Sequence, residues 1–430
     1  MAQPQQSPPP ALPLAGIRVV EFSHMVMGPT CGLMLADLGA EVIKVEPLSG
    51  DSTRRLLGSG AGFFAAFNRN KRSLAIDLAS PQGREIVHKL VATADVFCEN
   101  FKAGALEKLG LDFPALSALN PRLIYASHKG FLPGPYAHRT ALDEVVQMMG
   151  GLAYMTGPPG QPLRAGSSVN DIMGGLFGAL GVLAAMRQRD QTGQGQLVQA
   201  SLFENNVFLM AQHMMQLAVT GQAAAPMPAR ISAWALYDVF TVMGGEQIFL
   251  AAVSDSQWTA LCADFGFDDL AADARLQSNN DRVRQRDWLL PDLRARFAGF
   301  SAAELAARFE RQGLPYAPIT RPQDLLNDPH LLATGGLAPL DVPADASARG
   351  QALHTRTPLL PLALDGQRLK VRSPPPGLGE HTRELLVSLG YSETEVTALV
   401  AARVVGDAVV RPEESPTPAD PAATMGKTAR

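Results

Sequence analysis

Cysteine is scarce: Cys31, Cys98 and Cys262 stand far apart in a chain of 430 residues. That spacing fits neither a disulfide framework nor a zinc site built from close pairs, and it predicts buried free thiols and no metal centre. Charge of one sign is also missing. There are 37 Lys+Arg against 41 Asp+Glu, a net charge of −4, and no basic stripe, which argues against a nucleic-acid partner. The longest apolar run, Leu176 to Met186, falls short of the ~20 residues a membrane span needs. The opening MAQPQQSPPP has no basic start and no apolar stretch, so it does not read as a signal peptide. The expectation is a cytoplasmic protein with no membrane partner. A G-x-x-x-x-G-K phosphate loop, H-E-x-x-H and G-x-S-x-G are absent as well, which removes three common chemistries.

What is present is 46% hydrophobic and 18% charged, an ordinary globular composition with core enough for more than one domain. Residues 1–13 and 411–430, rich in Pro, Ala, Gln and Thr, read as disordered tails. Residues 14–200 alternate short apolar runs with helical patterns. Strands are expected at Ile17–Phe22, Glu41–Glu46, Leu74–Leu78, Asp95–Cys98 and Leu123–Ser127, and helices at Thr30–Leu38, Pro81–Val91 and near Leu106. Gly28-Pro29 reads as a turn and Gly39 as a helix-ending glycine. Such alternation predicts an α/β fold with a doubly wound, mostly parallel sheet. Helices follow at Asp171–Arg189 and Leu202–Val219, with 201–231 forming a helix and linker. Residues 232–320 read as a smaller α+β domain, with strands at Tyr237–Val242 and Gln247–Val253 and helices holding Trp258 and Glu304. Residues 321–410 carry Pro374-Pro375-Pro376 and a last helix near Ser392–Ala402.

Local chemistry is sparse. Gly58–Gly62 has the glycines of a dinucleotide loop but joins no strand to a helix. The true first β–α turn reads Ser23-His24-Met25-Val26-Met27-Gly28-Pro29, without the Rossmann spacing. His24 and His128 lie near strand ends, where α/β ligands bind, although a hydrogen-bonded core histidine is the commoner outcome. Asp171 opens an otherwise apolar helix, and a helix N-terminus favours its charged form. Gly174, Gly175, Gly178 and Gly181 allow close approach by another helix or by a ligand. Two readings of Asp171 stay open on these residues alone: a reactive carboxylate, or a helix cap.

Taken as an ordered set, the blocks are more specific. Gly16-Ile17-Arg18-Val19-Val20-Glu21-Phe22-Ser23-His24, Gly28-Pro29, and Leu38-Gly39-Ala40-Glu41-Val42-Ile43-Lys44-Val45-Glu46 come first. Phe67-Asn68-Arg69-Asn70-Lys71-Arg72-Ser73-Leu74, Ala94-Asp95-Val96 to Glu99-Asn100-Phe101, and Leu119-Asn120-Pro121-Arg122-Leu123-Ile124-Tyr125-Ala126-Ser127 follow. Asp171 with its helix, Thr192-Gly193-Gln194-Gly195-Gln196 and Gly379-Glu380-His381-Thr382 complete the series. Over about residues 12–405 the chain resembles the class III CoA-transferases of the CaiB/BaiF type, a group that includes formyl-CoA:oxalate CoA-transferase and the alpha-methylacyl-CoA racemases.

The resemblance implies a large α/β domain formed by both chain ends, a small domain at 232–320, and a homodimer of interlocked rings. It implies no tightly bound cofactor, an acyl-CoA thioester as donor substrate and a carboxylic acid as acceptor. It assigns Asp171 as the nucleophile that carries first the acyl group and then CoA. For CoA contacts it points to Val26 and Met27, Ile76-Asp77-Leu78-Ala79, Asn100-Phe101-Lys102, Lys108, and Arg139, Thr140 and Leu142. Pro47 stands where oxalate-type enzymes carry an arginine, and Ala79 where they carry a lysine, so Lys71, Arg72, Lys102 and Lys108 are the candidate phosphate cations. A racemase of the same fold is the alternative. It needs a base on each face of the α-carbon, and the place of its histidine is taken by Leu142. The glycine run that oxalate enzymes carry before the small domain is replaced by Pro226-Met227-Pro228-Ala229-Arg230-Ile231-Ser232-Ala233. Arg164 or Arg230 would suit the far carboxylate of a dicarboxylic acid.

Overall fold

The computed structural model describes residues 12–102, 104–230 and 232–408. The tails expected at 1–13 and 411–430 lie outside these residues, apart from a turn at 12–13. The described chain divides into two compact units. The first is built from residues up to Ala153, Arg164–Gln212 and Gly335 onward, and the second from Tyr154–Leu163 and His213–Thr334.

In the first unit the chain runs β1 (Arg18–Phe22), α1 (Met27–Asp37), β2 (Glu41–Glu46), α2 (Phe63–Phe67), β3 (Lys71–Ile76), α3 (Pro81–Ala92), β4 (Val96–Glu99), α4 (Phe113–Leu119), β5 (Ile124–Lys129), α5 (Asp143–Met149), α6 (Leu152–Thr156), α7 (Val169–Thr192), β6 (Leu197–Ser201) and α8 (Leu202–Thr220). The strands order 3-2-1-4-5-6 in one sheet, all parallel, with Val405–Gly406 added antiparallel to β3. This is the mostly parallel α/β sheet that the strand–helix alternation predicts.

Alternate residues of each strand serve opposite layers. Val20, Phe22, Ile43, Val45, Leu74 and Phe97 pack with Ile86 and Leu90 of α3 and with Leu385, Leu386 and Val396 near the C-terminus. Val19, Val42, Val96, Cys98 and Ile124 face the other layer, with Leu35 of α1 and Val182 of α7. Helix starts follow their capping chemistry. Ser80 caps α3 by accepting from the Gly83 amide at 3.4 Å, with Pro81 just inside.

Four expectations shift. Gly28-Pro29 is no turn: it lies in the first turn of α1, where a proline N–H would be unused in any case. β3 begins at Lys71 rather than Leu74, because its charged residues find buried partners, and it ends before Asp77, whose amide bonds the Val404 carbonyl at 2.8 Å. Near Leu106 only a short 3-10 turn, Glu107–Leu109, forms ahead of α4. Helix α7 is 24 residues long and, by length and composition, apolar enough to cross a membrane, which its longest uninterrupted apolar run conceals. Its small-residue face packs on α1, β5 and β6.

The second unit holds a three-stranded antiparallel sheet of β7 (Leu236–Thr241), β8 (Gln247–Ala252) and β9 (Tyr316–Pro318). Leu236, Phe240, Ile248 and Leu250 meet Trp258, Leu293, Phe297 and Phe309 from the helices Asp255–Phe265, Arg286–Phe297 and Ala302–Arg311.

Candidate active site

The strand order reverses between β1 and β4, and ligands of open α/β sheets bind outside the carboxyl ends of the strands at such a switch point. The turn after β1 and the segment after β4 meet there. Asn100 donates to the His24 carbonyl at 2.7 Å and accepts from the His24 amide at 3.0 Å. Gly28 is required by this closeness, since a Cβ there would stand 2.6 Å from the Ser23 Cβ. The half-buried His24 ring lies 5.4 Å from the Phe101 ring, and burial holds its imidazole below the usual value.

Helix α7 brings Asp171 to this place because the inner face of its N-terminal half is lined by glycines. A Cβ on Gly174 would meet the Met27 Cε at 2.4 Å, one on Gly175 the Thr30 Cβ at 2.5 Å, and one on Gly178 the His128 Nε2 at 2.1 Å. The close approach foreseen at these glycines is therefore filled by α1 and β5.

Asp171 is the third residue of α7, half-buried. Ser168 occupies the N-cap position without a side-chain cap bond, so Asp171 is not the helix cap. The expected preference for the charged form is opposed by its surroundings. Burial, and then the Asp143 carboxylate, push Asp171 up to about 7 against the opposing pull of Arg164.

Asp143, at the start of α5, is buried and accepts from Gln147 Nε2 at 2.7 Å and from the Asn170 amide. Gln147 also accepts from the Ala165 amide at 2.8 Å, and Asn205 of α8 donates to the Asn170 carbonyl at 2.8 Å. Arg164 pairs with Glu144. The sequence reading passed over Asp143 and Gln147, whose four-residue spacing on one helix was the available signal. Asn170 leaves both side-chain polar atoms buried without a hydrogen-bond partner among the described residues, beside the carboxylate that burial has already perturbed.

The expected CoA contacts differ in burial. Val26 and Met27 are buried in the first turn and Ile76 at the end of β3, while Asp77 and Leu78 are half-buried and Ala79 is exposed. Arg84, unforeseen, lies against the Leu78 and Ala79 carbonyls at 2.9 Å, close to where Ala79 withholds a lysine. Asn100 and Phe101 are half-buried, and Lys102 and Lys108 are exposed with no ion pair among the described residues. Arg139 is exposed and stacks on Tyr136 at 4.2 Å, and Thr140 and Leu142 are exposed.

Two candidate phosphate cations are withdrawn. Lys71 is 1% exposed and bound to Glu21 at 2.8 Å, and Arg72 is paired with both Glu41 and Glu384. Arg230, in the second unit, donates to its own Met227 carbonyl at 2.6 Å.

Cys31, Cys98 and His128, distant in sequence, place their donor atoms within 4.8 Å of one another in the core. The neighbouring Cys31 and burial push the Cys98 thiol well up. The three form a buried polar cluster beneath Gly178.

A family model for CoA-transferase family III matches residues 14–382. The chain is 34% identical to the succinate–glutarate CoA-transferase of Agrobacterium fabrum, covering 90% of this chain and 98% of that protein. It is 31% identical to the succinyl-CoA:glutarate CoA-transferase of Mus musculus, over 94% and 92% of the two chains. A CaiB/BaiF family protein from Brucella suis has a similar structure, with a TM-score of 0.78, 34% identity and coverage of 88% and 100%.

The perturbed carboxylate has a thermodynamic signature. An unfolded aspartate titrates near 3.9, whereas Asp171 titrates at about 7. Between those values the folded state binds more protons, so Asp171 withdraws stability as pH rises through that window. Asp171→Asn should remove this part of the slope, and its gain over wild type in urea unfolding should be larger at pH 8 than at pH 4. Equal gains at the two values would contradict the assignment.

Proposed function

This chain belongs to CoA-transferase family III, and from that membership we propose that it moves CoA from an acyl-CoA thioester to a dicarboxylic acid through covalent intermediates on Asp171. The observation that carries the reading is a half-buried carboxylate, pushed up to about 7, on the helix packed against the β1–α1 turn.

The steps balance without an added energy source. The Asp171 carboxylate attacks the thioester carbonyl and expels CoA thiolate, leaving a mixed anhydride. The thiolate attacks the aspartyl carbon, releasing the donor acid and leaving an aspartyl-CoA thioester. The acceptor carboxylate attacks this thioester and frees the thiolate again, which then takes the acceptor acyl group and regenerates Asp171. Asp143 contributes by repulsion: it raises the basicity of Asp171 and with it the nucleophilicity of the ionised form. Burial keeps the anhydride from water. Val26 and Met27 with Asn100 and Phe101 would hold the pantetheine arm, and Lys102, Lys108 and Arg84 are the cations available for phosphates. Racemisation is disfavoured by Leu142, which cannot accept a proton.

Arg164 supports a diacid acceptor. Its charge acts on both Asp143 and Asp171, and its partner Glu144 is largely exposed and displaceable by a substrate carboxylate. Exposed Leu176 and Leu180 on α7 and Phe208 on α8 support the homodimer, since contiguous apolar surface on a monomer calls for a partner.

Three outcomes test this reading. With donor and no acceptor, wild type should accumulate a hydroxylamine-trappable group on Asp171, and Asp171→Asn should lose transfer by orders of magnitude while staying folded; transfer by Asp171→Asn would refute the covalent route. Arg164→Gln should raise KM for succinate or glutarate about tenfold or more and leave that for a monocarboxylate acceptor nearly unchanged. Light scattering on dilution should read a dimer throughout, because linked rings cannot part without unfolding; a compact folded monomer would exclude interlocking.

A further inference from the structure

Beneath the β1–α1 turn lies a cluster of charges with almost no solvent contact. Glu21, Lys44 and Lys71 are each 1% exposed or less, and Asp51, Glu46 and Arg54 surround them. Lys71 Nζ meets Glu21 at 2.8 Å, and Lys44 Nζ meets Asp51 at 2.9 Å and Glu21 at 3.7 Å. Gly32 exists to admit this cluster, because a Cβ there would stand 1.6 Å from the Glu21 carboxylate. Buried ion pairs are weak devices for stability, since apolar residues of similar volume often do as well. Their use is better sought in what else they bind.

Both ammonium groups bind the same stretch of backbone. Lys44 donates to the Ser23 carbonyl at 2.7 Å, where the turn begins, and Lys71 to the Pro29 carbonyl at 2.9 Å, just past its end. Between those anchors Met25 sits at φ 62°, a left-handed conformation uncommon for a residue with a side chain. Val26 and Met27 follow directly, with Met27 against Gly174 of the Asp171 helix. Such strain persists only when the surroundings over-determine it, and it gathers at functional sites.

We propose that Lys44 and Lys71 are positioning residues for the CoA site, clamping the two ends of the β1–α1 turn so that Met25 keeps its left-handed bend and Val26 and Met27 stay in place. The inference rests on the reading of this turn as a CoA contact, but not on the covalent role of Asp171. Neither lysine touches substrate: both act from below, through carbonyl oxygens, with their charges balanced by Glu21 and Asp51.

The test removes the Lys71 end of the grip without leaving a buried charge, since Lys44 keeps Asp51. The double variant Glu21→Gln/Lys71→Met should weaken CoA binding in calorimetry, and raise KM for the acyl-CoA donor, about tenfold, with kcat at saturating donor within about twofold of wild type. Met25→Gly in that background, where a positive φ carries no steric penalty, should restore most of the affinity. Met25→Val, which leaves the charge cluster intact but resists φ 62°, should reproduce the rise in KM and covers the case in which the double variant does not fold. Asp171→Asn, measured alongside, should bind CoA as wild type does, so a failure of the covalent mechanism would show in transfer and not in this binding series. Wild-type CoA affinity in a folded Glu21→Gln/Lys71→Met protein, or in Met25→Val, would overturn the clamp, as would a loss confined to kcat or a failure of Met25→Gly to restore binding.

Discussion

The candidate active site depends on one close approach. Helix α7 can lie directly on α1 and β5 only because Gly174, Gly175 and Gly178 present hydrogen where any other residue would present a Cβ within 2.1–2.5 Å of a neighbour. That contact delivers Asp171, one turn earlier, to the point where the sheet order reverses. A helix held even one methyl group further out would carry its carboxylate away from the β1–α1 turn. Packed interiors transmit such displacements instead of absorbing them.

The electrostatics of the site follow from that placement. A carboxylate in the first turn of a helix gains from the dipole, typically 0.3–1 kcal/mol. Desolvation, together with a second carboxylate, acts in the opposite direction and wins, lifting Asp171 to about 7. Burial also pushes Asp143 up, outweighing the bonds from Gln147 and from the Asn170 amide and the charge of Arg164. A more basic carboxylate suits the nucleophilic role proposed for Asp171. The buried polar atoms left without a hydrogen bond among the described residues on Asn170, Asn205 and Asn206 lie in the same region, a further sign that this end of α7 is not arranged for stability alone.

The opposite solution is found beneath the first turn. There the buried charges are paired: Arg54 forks onto Glu46 at 2.7 and 2.8 Å, and Lys44 with Asp51 holds that carboxyl down to about 2. The first unit thus carries a cluster of paired charges under the turn and, on α5 and α7, two carboxylates pushed upward by burial.

The alternation of apolar runs and helical patterns was enough to determine the α/β sheet, because period and capping are set by residues within a few positions of one another. The blocks from Gly16 to Thr382 carried the family, and the resemblance carried Asp171. What the tertiary structure decided was every property that depends on residues remote in sequence. Lys71 and Arg72 read as free cations until Glu21, Glu41 and Glu384 met them, and β3 therefore starts three residues earlier than its apolar run. Cys31, Cys98 and His128 showed no shared spacing, yet they meet in one core. Asp171 read as favoured in its charged form from its helix position, and only folding supplied the burial and then the Asp143 carboxylate that push it up to about 7. Charge state and solvation are fixed by what surrounds a group in space, and here those surroundings come from chain segments tens to hundreds of residues away.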